Sequence, residues 1–238
     1  MTEIDFSSYG FWDGLSAFGE LRFHYESTEV AFDFSTDFQA GFLNDQGCYT
    51  LLNPSVSIET DSILRAFARE QTGASPPALE FDFDDYTKRI RFSVLPGTNL
   101  RTFSRFAKTF SQGRFQETDR TKLARSLNCP QLCPCCQEAG NARIKDIERN
   151  PLTRLLRNRM ASEGELLVTL AAHDSRIFSS IRPSQLQVEG AWLVSEDLRS
   201  RLQIHIPSIH GFFLAREEID GVSYAAIKVL NTHGLSLV

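Results

Sequence analysis

Two pairs of short segments in this 238-residue chain alternate apolar and polar residues with a period of two. Leu21, Phe23 and Tyr25 are followed, after Ser27-Thr28, by Val30, Phe32 and Phe34. Leu79, Phe81 and Phe83 are followed, after an acidic break, by Ile90, Phe92 and Val94. Alternation of this kind sends successive side chains to opposite faces of a strand, so each pair predicts an antiparallel hairpin with one apolar face. A third hairpin is predicted at Phe212–Ile219 and Val222–Leu230, around Asp220-Gly221, a dipeptide suited to a two-residue type I′ turn. The sheets must bury their apolar faces, and a 42% apolar composition with 19 Phe supplies the core.

Elsewhere the period is helical. Leu100, Phe103, Phe106, Ala107 and Phe110 share one face of a predicted helix, and Arg101, Arg105 and Lys108 share another. Basic residues interleaved with rings can hold single-stranded nucleic acid. These rings have core spacing, however, and a pI near 5.6 argues against a nucleic-acid partner. Helices are also predicted at 118–127, at 139–149 and from Pro151, with Leu152, Leu155, Leu156 and Met160 as the last one's stripe. Thr60-Asp61-Ser62 resembles a cap for a helix from Ile63 that ends at Gly73. Leu166–Leu170 and Trp192–Val194 read as strands, with Ser195 capping a helix over 196–202. The fold class is therefore α+β: antiparallel β-hairpins, a helical, cysteine-bearing middle and a C-terminal α+β unit. The division is an acidic region 1–115 and a region 116–238, or one domain overall.

Four of the five cysteines, Cys129, Cys133, Cys135 and Cys136, lie within eight residues. Cys133 and Cys136 have the CxxC spacing at which two thiolates reach one zinc. Cys129 stands within the usual range for a further ligand, and the fourth would be Cys135 or a distant histidine among His24, His173, His205, His210 and His233. A second CxxC and an H-x3-H are both absent, so this is half a zinc signature. A redox pair, an iron–sulfur ligand set and an idle Pro-rich turn compete with a structural zinc. Cys48, alone in an apolar segment, reads as a small buried side chain.

The net charge of −5 conceals an asymmetry. Residues 1–62 hold eleven acids against Arg22 alone, while 98–159 hold thirteen bases against five acids. Such blocks bias association. Glu26, Glu29, Asp33 and Asp37 are the candidate partner-binding residues of an acidic face, and the alternative is a solvated surface neutralised within the fold. His24 falls on the outward side of its hairpin and reads as a surface residue. No run of about 18 apolar residues exists, and the acidic start Met1–Phe6 lacks a secretory pattern. Clustered cysteines then suit a reducing cytoplasm, with no membrane partner.

His205 and His210 flank Pro207, but a spacing of five fits neither helix geometry nor a zinc motif. His173 precedes Asp174-Ser175 without the G-x-S-x-G elbow that would support a triad.

Gly190–Leu198, then Gly211–Ala215 and Tyr224–Leu230, resemble the C-terminal part of bacterial polymorphic-toxin immunity proteins, including the double-CxxCG family. In that group a hydrophobic–Val-Ser-Glu–x–Leu step leads from strand to helix and into a final hairpin, and paired knuckles are taken as zinc ligands. The resemblance covers roughly the last 50 residues; this chain has one CxxC, followed by Gln137 rather than Gly. It implies a non-enzymatic inhibitor that occludes a cognate toxin through the acidic face, with a structural zinc knuckle. The alternatives are a metal-dependent enzyme and a zinc-containing nucleic-acid module using Arg101, Arg105, Lys108, Lys122 and Arg125.

Overall fold

The computed structural model describes residues 1–52, 55–73, 75–83, 88–96, 100–115, 133–172, 175–219, 221–231 and 236. Two units divide the chain: Met1–Pro130 with Asp174–Arg176, and Gln131–His173 with Ile177–Val238. The α+β class holds, with antiparallel strands predominating among the described residues.

The first unit contains β1 (Thr2–Ile4), α1 (Phe11–Gly14), β2 (Glu20–Ser27), β3 (Val30–Asp37), β4 (Phe42–Leu43), β5 (Cys48–Leu52), β6 (Ser55–Glu59), β7 (Ile63–Arg69), β8 (Ala78–Phe83), β9 (Lys88–Val94), α2 (Leu100–Thr109) and β10 (Ser111–Arg114). Its large antiparallel sheet runs β10-β1-β7-β8-β9-β2-β3, and β4, β5 and β6 pair in sequence order. Both alternating segment pairs are hairpins, β2–β3 and β8–β9, and β2 also pairs with β9. The apolar set of each strand meets one core. Phe23, Phe32, Phe81, Phe83 and Phe92 are all at most 1% exposed.

Aromatic rings tie this core together. Trp12 of α1 stacks on Phe81, with centroids 5.6 Å apart, and leans on Tyr49 of β5 at 4.8 Å. Phe11 contacts Phe106 of α2 at 5.2 Å, so the amphipathic helix lays its predicted face against α1. Edge-on and offset ring pairs add roughly 0.5–1.5 kcal/mol each beyond the burial of area.

In this unit the segment after Thr60 departs from expectation. Residues from Ile63 form β7 rather than a helix, paired with β1 on one side and β8 on the other. Thr60–Ser62 is a single 3-10 turn. An apolar run between two waiting strands gains ladder bonds on both edges, and that tertiary gain overrides a cap-like start.

The second unit contains α3 (Pro134–Lys145), α4 (Pro151–Ala161), β11 (Leu166–Ala172), most of β12 (Ser175–Ile181), β13 (Gln185–Glu189), β14 (Trp192–Glu196), β15 (Ser200–His205), β16 (Gly211–Ile219) and β17 (Val222–Leu230). Asn150 caps α4, its side chain accepting from the Leu152 amide, with Pro151 in the first turn. β13, β14 and β15 form an antiparallel meander, and β16 and β17 pair over nine positions. Gly221 takes φ +76° at the start of β17, where a side chain would be strained. Residues 196–202, expected as a helix, instead turn the chain from β14 into β15. Asp197 accepts from the amides of Arg199 and Ser200, both at 2.7 Å, closing a tight turn. Among the described residues no helix is long and apolar enough to cross a membrane.

Candidate functional site

The cysteine cluster straddles the start of α3. Pro134 begins the helix and Cys133 is its N-cap, in an extended conformation (φ −59°, ψ 155°). Cys133 and Cys135 are exposed, and their sulfurs stand 2.7 Å apart. Cys129 and the side chain of Cys136 lie outside the described residues, as do His173, His233 and the helix expected at 118–127. Among the described residues no group of three or more His, Cys, Asp or Glu side chains could hold a metal ion. A tetrahedral site needs four converging donors. Here the helix starts inside the CxxC, at Pro134, and among the described residues it brings Cys133 and Cys135 together.

Glu26 and Asp33 sit on the face of the first unit's sheet opposite the Phe23–Phe81 core, and Glu29 lies in the turn between β2 and β3. The register aligns Glu80, Arg91, His24 and Asp33 in one row across β8, β9, β2 and β3. The neighbouring row holds Arg65, Asp82, Arg89 and Glu26. Asp33 is buried and ion-paired with Arg22, which also donates to it from Nε. Burial alone would raise the Asp33 carboxyl; the bonds from His24 and Arg22 hold it below its ordinary value. Glu26 is lowered too, first by its bond from His24. Arg69 pairs with Glu80 at 3.4 Å and Arg89 with Asp82 at 3.5 Å.

His24 is therefore half-buried inside a charge lattice, not a bare surface residue. Burial works to lower its pKa, but bonds to Asp33 and Glu26 outweigh that and the net shift is upward. Asp37 is exposed and caps the 3-10 turn Phe38–Ala40 by accepting from the Gln39 amide. The Glu29 amide is bonded to the Ser27 hydroxyl. The lattice was missed in the sequence, although its signal was there: the polar positions between the core residues of β2, β8 and β9 carry opposite charges.

A second constellation lies in the second unit. His205 ends β15 directly opposite Trp192 of β14, with ring centroids 5.0 Å apart. A 3-10 turn, Ile206–Ser208, follows and brings the Ser208 hydroxyl to 2.7 Å from His205 Nδ1. Burial lowers the imidazole's pKa, which keeps it neutral near pH 7. When Nδ1 donates to Ser208, Nε2 retains the lone pair that a metal ion takes. The turn is held from behind by α3. Arg143 donates from Nη1 to the Pro207 carbonyl at 3.3 Å. A Cβ on Gly140 would fall 2.7 Å from Pro207 Cβ, so only glycine permits this approach. His210 is exposed and outside this arrangement.

No family model matches the sequence, and no curated protein matches it either. Solved structures do match in fold. Two structures of ChuS of Escherichia coli, described as a heme degrading enzyme and as a heme oxygenase, superpose with TM-scores of 0.75 and 0.73 at 12% identity. The superposition covers 99% of this chain and 79% and 81% of theirs. PhuS, a heme-binding protein from Pseudomonas aeruginosa, superposes in both apo and holo forms with a TM-score of 0.73 at 8% identity. That match covers 99% of this chain and 79% of PhuS. At such identities the likeness is one of fold.

The resemblance to immunity proteins is thereby corrected. The fold is shared with proteins described as handling heme. The Val-Ser-Glu step leads from one strand to another rather than into a helix. The inhibitor function, the toxin partner and the structural zinc fall with it. Within the first unit, Glu26 and Asp33 are engaged by its own Arg and His side chains.

Proposed function

We propose that this protein binds an iron tetrapyrrole, with His205 offering the axial nitrogen. The observation that carries the reading is the fold likeness over 99% of the chain to four structures whose descriptions all name heme binding or degradation. His205 fits the role chemically. It is neutral, half-buried, oriented through Nδ1 by Ser208 and flanked by an indole ring, an apolar surface of the kind a macrocycle stacks against. Heme would be cargo in this reading, since degradation as well as carriage begins with its capture.

Titration of the full chain with hemin, followed in the Soret band, tests the reading. Saturation at one hemin per chain is expected. His205→Ala should abolish the ligated spectrum while far-ultraviolet circular dichroism is retained. Failure of the unaltered protein to saturate would overturn the function. Equal binding by the variant would move the axial ligand away from His205.

A further inference from the structure

We propose that Cys133 and Cys135 form a reversible redox pair, a dithiol that closes to an intrachain disulfide by exchange with a small-molecule disulfide of the glutathione type. The proposal does not depend on heme binding. It stands on the placement of the two sulfurs, 2.7 Å apart at the exposed start of α3. An S–S bond of about 2.05 Å needs a further approach of under about 1 Å. Cys133 is extended while Cys135 already lies in the helix, and this change of backbone brings side chains two residues apart to the same side. Pro134 between them fixes its own φ near about −65°. The open chain is thus preset close to the closed geometry, and closure orders little that is not already ordered.

The chemistry balances with the named oxidant. The thiolate of one cysteine attacks a sulfur of oxidised glutathione, forming a mixed disulfide and releasing one glutathione thiolate. The second thiolate attacks the protein-side sulfur of that mixed disulfide and expels the second glutathione. Two protein thiols lose two protons and two electrons, and one glutathione disulfide becomes two thiols. Both residues are exposed, which gives the small disulfide access to the pair. The remaining thiol of the described residues, Cys48, is half-buried in β5 of the other unit.

The test uses the full chain carrying C48S, C129S and C136S, which leaves only this pair. After incubation with oxidised glutathione, the intact mass should fall by two hydrogens, with no uptake of N-ethylmaleimide until dithiothreitol is added. A persisting glutathione adduct, an intermolecular dimer or unchanged thiols would overturn the proposal. Adding C133S or C135S to that background should arrest the reaction at the mixed disulfide, since the resolving thiol is gone. The unaltered protein provides a control that does not depend on the substitutions. Fragmentation of its oxidised peptide should link Cys133 to Cys135, and a link to Cys129 or Cys136 instead would refute the assignment.

Discussion

His24 lies directly opposite Asp33 across the β2–β3 register, with its Nδ1 3.9 Å from the carboxylate and its Nε2 3.6 Å from Glu26. Arg91 stands opposite it on the other flank and Arg22 lies two residues back on the same strand. The imidazole's pKa is raised in the fold, so its charged form is stabilised there. That contribution is complete below the unfolded value of about 6.5 and is lost as pH rises through the higher folded value. The melting temperature of the unaltered protein should therefore decline relative to His24→Gln as pH rises from about 6.5 through the higher folded value. A constant gap over that window would show that the imidazole is not charged in the fold.

His205 has the opposite sign. Its folded pKa is lowered by burial, so the neutral ring persists below about pH 6.5. Hemin affinity should stay flat from about pH 8 down to about 6.5 and fall only in more acid solution. Ser208→Ala, which leaves the ring unoriented, should weaken binding by roughly 10–100-fold. Affinity already declining above about pH 7 would contradict a buried neutral ligand.

Tyr49 is fully buried, and its hydroxyl has no hydrogen-bond partner among the described residues. A lost hydroxyl then costs no bond and relieves desolvation. Tyr49→Phe should leave stability unchanged or raise it by up to about 1 kcal/mol, read from urea unfolding. A loss above about 1 kcal/mol would reveal a partner for the phenol.

Gly140 meets Pro207 where α3 crosses the turn that carries Ser208. Gly140→Ala gains about 1 kcal/mol in helix propensity. Against that, its methyl would press on Pro207, including a backbone atom 3.0 Å away. Overpacking of that kind costs about 1–3 kcal/mol, so a lower melting temperature is expected. An equal or higher one would mean that the helix shifts freely on its support.

Much of the sheet was legible because alternation is a local signal that burial enforces: Leu21, Phe23 and Tyr25 declare a strand in isolation. Ser195-Glu196-Asp197 misled, because side-chain oxygens accept backbone amides in turns as readily as at helix starts. Asp197 serves a β-turn here. The His205 arrangement was illegible. Trp192, His205 and Ser208 come from two strands and a turn, and spacing along the chain does not encode that convergence. The cysteines showed the reverse: proximity in sequence suggested a four-ligand cage, and among the described residues the start of the helix at Pro134 brings together the sulfurs of Cys133 and Cys135.

The two faces of the first unit's sheet differ so sharply that they act as a proofreader. Sliding β9 by one residue against β8 would turn Arg89 and Arg91 into the ring cluster around Phe81 and expose Ile90 and Phe92 instead. Each mispaired strand would carry full charges into an aromatic interior, which is far costlier than a vacant contact. Misaligned pairing of β8 and β9 is thus disfavoured, and the charge lattice specifies alignment even where its ion pairs add little to stability.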